Sequence, residues 1–114
     1  MRRTVAVLVL AVIAACRSVP FRVEAQSGGS ARRLRLVAAS GARINARLAP
    51  ALELPGGTVL RFDSPQRTAD SAYFADAPTM QGALPEEAHR GVVRASVCPR
   101  DEKVCRSYEV AVRW

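Results

Sequence analysis

The stretch VCPRDEKVC, residues 97–105, holds the residues best suited to chemistry in this chain. Cys98 and Cys105 stand at either end of a polar, charged loop, and two thiols so placed can act in two ways. They can form a bridge that staples a hairpin, or they can be oxidised and reduced in turn by the thiols of a partner. Arg100, Lys103 and Arg106 favour a thiolate electrostatically, while Asp101 and Glu102 offset part of that effect. Other chemistries lack their residues. There is no C-x-x-C, H-E-x-x-H or G-x-S-x-G motif and no phosphate-cradling glycine loop, so no hydrolase, metal or nucleotide chemistry and no cofactor is expected. His89 is the sole histidine and lies in a loop beside Glu86 and Glu87; without further ligands it reads as a surface residue.

The N-terminus sets the compartment in which these thiols would work. The chain opens MRRTVAVLVLAVIAAC, with Arg2 and Arg3 ahead of an unbroken apolar run over residues 5–15. That run is too short for a membrane-spanning helix, which needs about 20 residues, and it suits the apolar region of a secretory signal. Ile13-Ala14-Ala15-Cys16 resembles the bacterial lipobox, in which the cysteine is lipidated and becomes the mature N-terminus. A signal peptide over residues 1–15 and a lipidated Cys16 are therefore expected. Arg17, where an aspartate would mark inner-membrane retention, points to the periplasmic face of the outer membrane. The alternative is a plain secretory signal cut after Val23-Glu24-Ala25, which would give a soluble periplasmic or secreted protein. Both routes export the chain and take Cys16 out of the pairing. An oxidising compartment then makes a Cys98–Cys105 disulfide the default state.

Residues 16–30, ending AQSGGS, read as a lipidated N-terminus and flexible tether. Residues 31–114 remain as one small domain, expected to be monomeric, whose limited core a disulfide would supplement. The net charge is +7, and Lys103 is the only lysine among the basic residues. Such a charge can mean nucleic acid, but an exported protein has little access to it, and no basic helix or aromatic cluster is present. ARRLR, residues 31–35, could meet anionic lipid head groups; it reads more simply as a solvated strand face.

The elements that must position the cysteines are short β-patterned segments separated by Gly and Pro, the pattern of an all-β sandwich. Residues 32–38 alternate, with Leu34 and Leu36 on one face and Arg33 and Arg35 on the other. Residues 51–62 hold two strands about the turn Pro55-Gly56-Gly57. A further strand is expected near residues 72–75, and residues 84–91 read as a loop with one helical turn. The clearest signal is an antiparallel hairpin of residues 92–98 and 105–113. Placing Cys98 opposite Cys105 sets Ser96 against Ser107 and Arg94 against Glu109 on the cysteine face. Val93, Ala95 and Val97 then share the other face with Tyr108, Val110 and Val112, so one register sorts apolar from polar. This reading puts the cysteines on the wetter face, outside the core.

GARINARLAPALELP (residues 41–55), followed by GVVRASVCPRDEKVCRSYEVAV (residues 91–112), resembles the N-terminal periplasmic domain of the thiol–disulfide interchange protein DsbD and its relatives, the DsbD-alpha-like or disulfide bond corrector domains. The resemblance covers most of residues 31–114 and implies an immunoglobulin-like antiparallel β-sandwich. It implies that Cys98 and Cys105 form a dithiol–disulfide pair taking electrons from a membrane partner and passing them to periplasmic substrates. It also implies an aromatic cap over the disulfide, for which Phe62, Tyr73 and Phe74 are the candidates. The gap between the cysteines is slightly longer than the family's, and Arg106-Ser107 replaces a proline-containing stretch. The other reading keeps the sandwich and the disulfide but makes the protein a non-catalytic binding or assembly module.

Overall fold

The computed structural model describes residues 19–28 and 31–114. The apolar segment over residues 1–15 and Cys16 lie outside the described residues. The described chain forms eight antiparallel strands and an all-β, sandwich-like fold, as the alternating sequence requires.

The first layer is built on β1 (Phe21–Gly28) and β2 (Ala31–Ala38), paired in the register Val23↔Leu36 and Ala25↔Leu34. Opposed residues share a face, so Phe21 and Val23 join Leu34 and Leu36 in the core, and Leu36 is 0% exposed. The tether expected over residues 16–30 is therefore corrected: Phe21–Gly28 is a core strand. Its sequence FRVEAQSG ends in small polar residues that resemble a linker, while its two inward residues carry the folding signal. Beside β2 lies the two-residue β6 (Thr79–Met80), paired at Arg35↔Thr79.

The second layer centres on β7 (Arg90–Pro99). One flank pairs with β8 (Arg106–Arg113). Along the other flank run β4 (Ala51–Glu53), opposite residues 92–94, and β3 (Ala42–Ile44), opposite residues 97–99. Gly91 makes the approach of β4 possible, because a Cβ there would lie 2.8 Å from Leu52 Cδ1 and 2.9 Å from the Glu53 carbonyl. The expected turn at residues 55–57 is present: Gly56 and Gly57 both have positive φ, 97° and 98°, a conformation that glycine adopts without a Cβ clash. The chain then leaves along β5 (Val59–Asp63). This strand serves both layers, pairing Leu60 and Arg61 with β4, then Phe62 and Asp63 with β6.

Between the layers, Leu52, Phe62, Met80, Val93, Val97 and Val112 are almost fully buried. Each apolar side chain of this size taken from water contributes about 1.5–3 kcal/mol. The Phe21 and Tyr108 rings meet edge to face across the gap at 6.4 Å. The strand expected near residues 72–75 reduces to two isolated bridges, Asn45↔Tyr73 and Arg67↔Phe74. The loop expected over residues 84–91 ends at His89, because Arg90 and Gly91 open β7; its turn, at residues 86–87, is not helical.

Candidate functional site

The β7–β8 hairpin has the register read from the sequence, with Arg94 opposite Glu109 and Ser96 opposite Ser107. Val93, Ala95, Val97, Val110 and Val112 face the core, and Arg94, Ser107 and Glu109 face water. Arg94 donates from Nε to Glu109 Oε2 at 2.8 Å and from Nη1 to Glu53 Oε1, so one guanidinium ties β4, β7 and β8 together on the outer face.

At the loop end of this hairpin, Cys98 and Cys105 are joined by a disulfide, with their Cα atoms 4.1 Å apart. The two sulfur-bearing residues are not equivalent. Cys98 is 0% exposed and Cys105 is half-buried. The expectation of a disulfide lying wholly on a wet face is thus corrected at Cys98. On its other flank β7 pairs here with β3, which sets Arg43 directly opposite Cys98. Next to Arg43, the Asn45 amide donates to the Ser96 carbonyl at 2.8 Å, and Ser96 is itself buried.

Of the three candidates for an aromatic cap, Phe62 and Phe74 are buried core residues. Only Tyr73 belongs to the cysteine face, placed there by its bridge to Asn45. The Arg43 guanidinium lies 3.9 Å from the centre of the Tyr73 ring, a cation–π stack beside the disulfide. Arg43 was not singled out by its sequence; its position follows from the strand pairing of the GARIN segment with β7.

The connecting loop is exposed from Arg100 to Val104, and its basic and acidic residues all face water. It is pinned by the Arg100 amide, which donates to the Gly41 carbonyl at 2.8 Å. Two apolar side chains stand out near the site, Val104 at 65% and Leu48 at 60% exposed. A cleft of about 270 Å³, lined by Leu48, Ala51, Arg94, Ser96, Ser107 and Glu109, continues along the same face of the hairpin.

Elsewhere, His89 is exposed, and its carbonyl accepts from the Trp114 amide at 2.9 Å. Among the described residues no group of three or more His, Cys, Asp or Glu could hold a metal. In the ARRLR segment, Arg35 pairs with Glu24 (2.8 Å) and Arg32 Nη2 donates to the Pro85 and Glu86 carbonyls, both at 3.2 Å. Arg33 remains exposed. Comparison with protein-family models, with curated proteins and with solved structures finds no match to this chain.

Proposed function

We propose that this protein is an exported, lipid-anchored module that exchanges thiols and disulfides through Cys98 and Cys105. The observation that carries the reading is the unequal burial of one bridge at the open end of a hairpin. Cys105 is half-buried beside a solvated loop, whereas Cys98 is enclosed. A partner thiolate therefore reaches Cys105 Sγ. The new sulfur–sulfur bond forms there as the Cys98–Cys105 bond breaks, and Cys98 leaves as a thiolate. The partner's second thiolate then attacks its own sulfur in the mixed disulfide and releases Cys105. Two electrons pass to this protein, and the partner dithiol becomes a disulfide. The reverse sequence passes the electrons on to an oxidised substrate.

Burial alone opposes a thiolate at Cys98. Arg43, directly opposite it in the sheet, is the positive charge placed to offset that cost. Exposed Leu48 and Val104 and the adjoining cleft offer a partner apolar footing on the same side. Anchoring through Cys16 at the periplasmic face of the outer membrane, and electron supply by a membrane or periplasmic redox protein, complete the proposal. It rests for these parts on the leader and on the resemblance to DsbD N-terminal domains.

A second reading has its own observation. A cysteine with no exposed surface is typical of a bridge that is never opened, and the protein would then be a binding or assembly module with a structural disulfide. The reduction potential of the pair separates the two. Structural disulfides of secreted proteins lie below about −300 mV, and an exchanging pair is expected above that value, opening while the domain stays folded. A bridge that resists excess dithiothreitol until the protein unfolds would establish the staple.

A further inference from the structure

A second cleft opens where β2 and β3 diverge, beside segment 74–78, and it shares only Arg43 with the redox reading. It holds about 310 Å³, within the range of small-ligand pockets, about 300–1,000 Å³. Arg35, Arg43 and Arg100 line it, together with the apolar side chains of Val37, Ile44 and Phe74. The one carboxylate there is Asp76, whose Oδ1 already accepts from the Ala77 amide at 2.8 Å.

The three arginines differ in what they have left to give. Arg35 is engaged, donating from Nε (3.3 Å) and Nη2 (2.8 Å) to Glu24 Oε1. Arg100 has no ion-pair partner among the described residues, and its backbone is fixed by the bond to Gly41. Arg43 is the more telling case. Its Nε is buried and has no hydrogen-bond partner, a state that costs free energy unless a ligand relieves it. The stack on Tyr73 fixes the plane of that guanidinium in advance, so little freedom is lost when it binds. A fixed guanidinium fork matches the oxygens of a carboxylate or a phosphate.

We infer that this cleft binds a small organic oxyanion, a carboxylate or a phosphate monoester, held by Arg43 and Arg100 with its apolar body against Val37 and Phe74. The apolar wall separates such a ligand from a bare inorganic anion, and the arginines separate it from a neutral molecule of the same shape.

The test is an amide-resolved NMR titration of the exported protein, disulfide intact, at low salt. Its probes are benzoate, phenyl phosphate, inorganic phosphate and benzamide. Saturable shifts at Arg43, Ile44, Ala75 and Arg100 with benzoate or phenyl phosphate are expected, and the tighter of the two names the head group. Inorganic phosphate and benzamide should each bind at least about tenfold more weakly, the loss of one good contact. Arg100→Gln should weaken benzoate and phenyl phosphate by about tenfold or more, while Arg106→Gln, an exposed arginine outside the cleft, should leave them unchanged. No saturable shift with either organic anion, equal binding of benzamide or inorganic phosphate, or equal weakening by the two variants would overturn the assignment. Because the bridge stays closed throughout, the result does not depend on the redox reading.

Discussion

Cys98 and Cys105 share a bond and differ in access, and this asymmetry has a direct chemical readout. After reduction of the folded protein, a short pulse of iodoacetamide followed by peptide mass spectrometry should find Cys105 labelled at least about tenfold faster than Cys98, since alkylation follows thiolate character and exposure. Equal labelling would place attack at either sulfur and remove the basis for assigning Cys105 as the entry point. Another residue-scale consequence concerns acid. Glu24, on β1, is held below the ordinary glutamate range chiefly by the hydrogen bond from Arg35, with Arg22 adding to it and burial working against it. A carboxylate depressed in the folded state stabilises the fold above its unfolded pKa, about 4.3, and loses that contribution as pH falls through the folded value. Denaturation midpoints measured between pH 6 and pH 3 should therefore decline more steeply for the native protein than for Glu24→Gln. Parallel curves would show that the ion pair adds nothing.

At the scale of the element, the β7–β8 hairpin shows how far a sequence can be read when one register alone separates apolar from polar residues. Val110→Asp would set an unpaired charge among Val93, Ala95 and Val112 and should cost several kcal/mol, more than about 3, whereas Ser107→Asp on the exposed side should be mild. Urea titration of both variants checks the assignment, and similar losses would refute it. Gly91→Ala belongs to the same element and should also destabilise, because the added methyl meets the Glu53 backbone as well as a movable Leu52. What the pattern of Ser96, Cys98 and Arg94 did not disclose is which of them would be buried: Arg94 has β4 on its flank and stays exposed, whereas Cys98 is enclosed. The alternation of β7 fixes which side a residue faces, but the neighbour that sets Arg43 opposite Cys98 is β3, a three-residue strand with no periodicity to recognise. The same brevity hid β6, at two residues. The aromatic partner of the site was equally illegible: among Phe62, Tyr73 and Phe74, only the bridge to Asn45 distinguishes the outward tyrosine from its buried neighbours.

At the scale of the whole molecule, the folded unit includes the segment that composition assigned to a tether, since Phe21 and Val23 close the first layer. A chain beginning at Ala31 should lose cooperative unfolding and bind hydrophobic dyes, while one beginning at Val19 should melt like the longer protein; calorimetry of the two decides it. Identical melting would return residues 21–28 to the role of a linker. The all-β class, by contrast, was legible, because Leu34 and Leu36, the Gly56-Gly57 turn and the final hairpin each carry a strand signal locally. Strand β5 carries a consequence for the dynamics of the whole. A chain segment hydrogen-bonded to both layers couples them, so the two layers are expected to open together. Slow amide exchange at Leu36 in one layer and at Val93 in the other should then report a single opening event with one free energy. The loop around Cys105, beyond the last paired residues of the hairpin, should exchange on its own, through smaller fluctuations that leave the double layer closed.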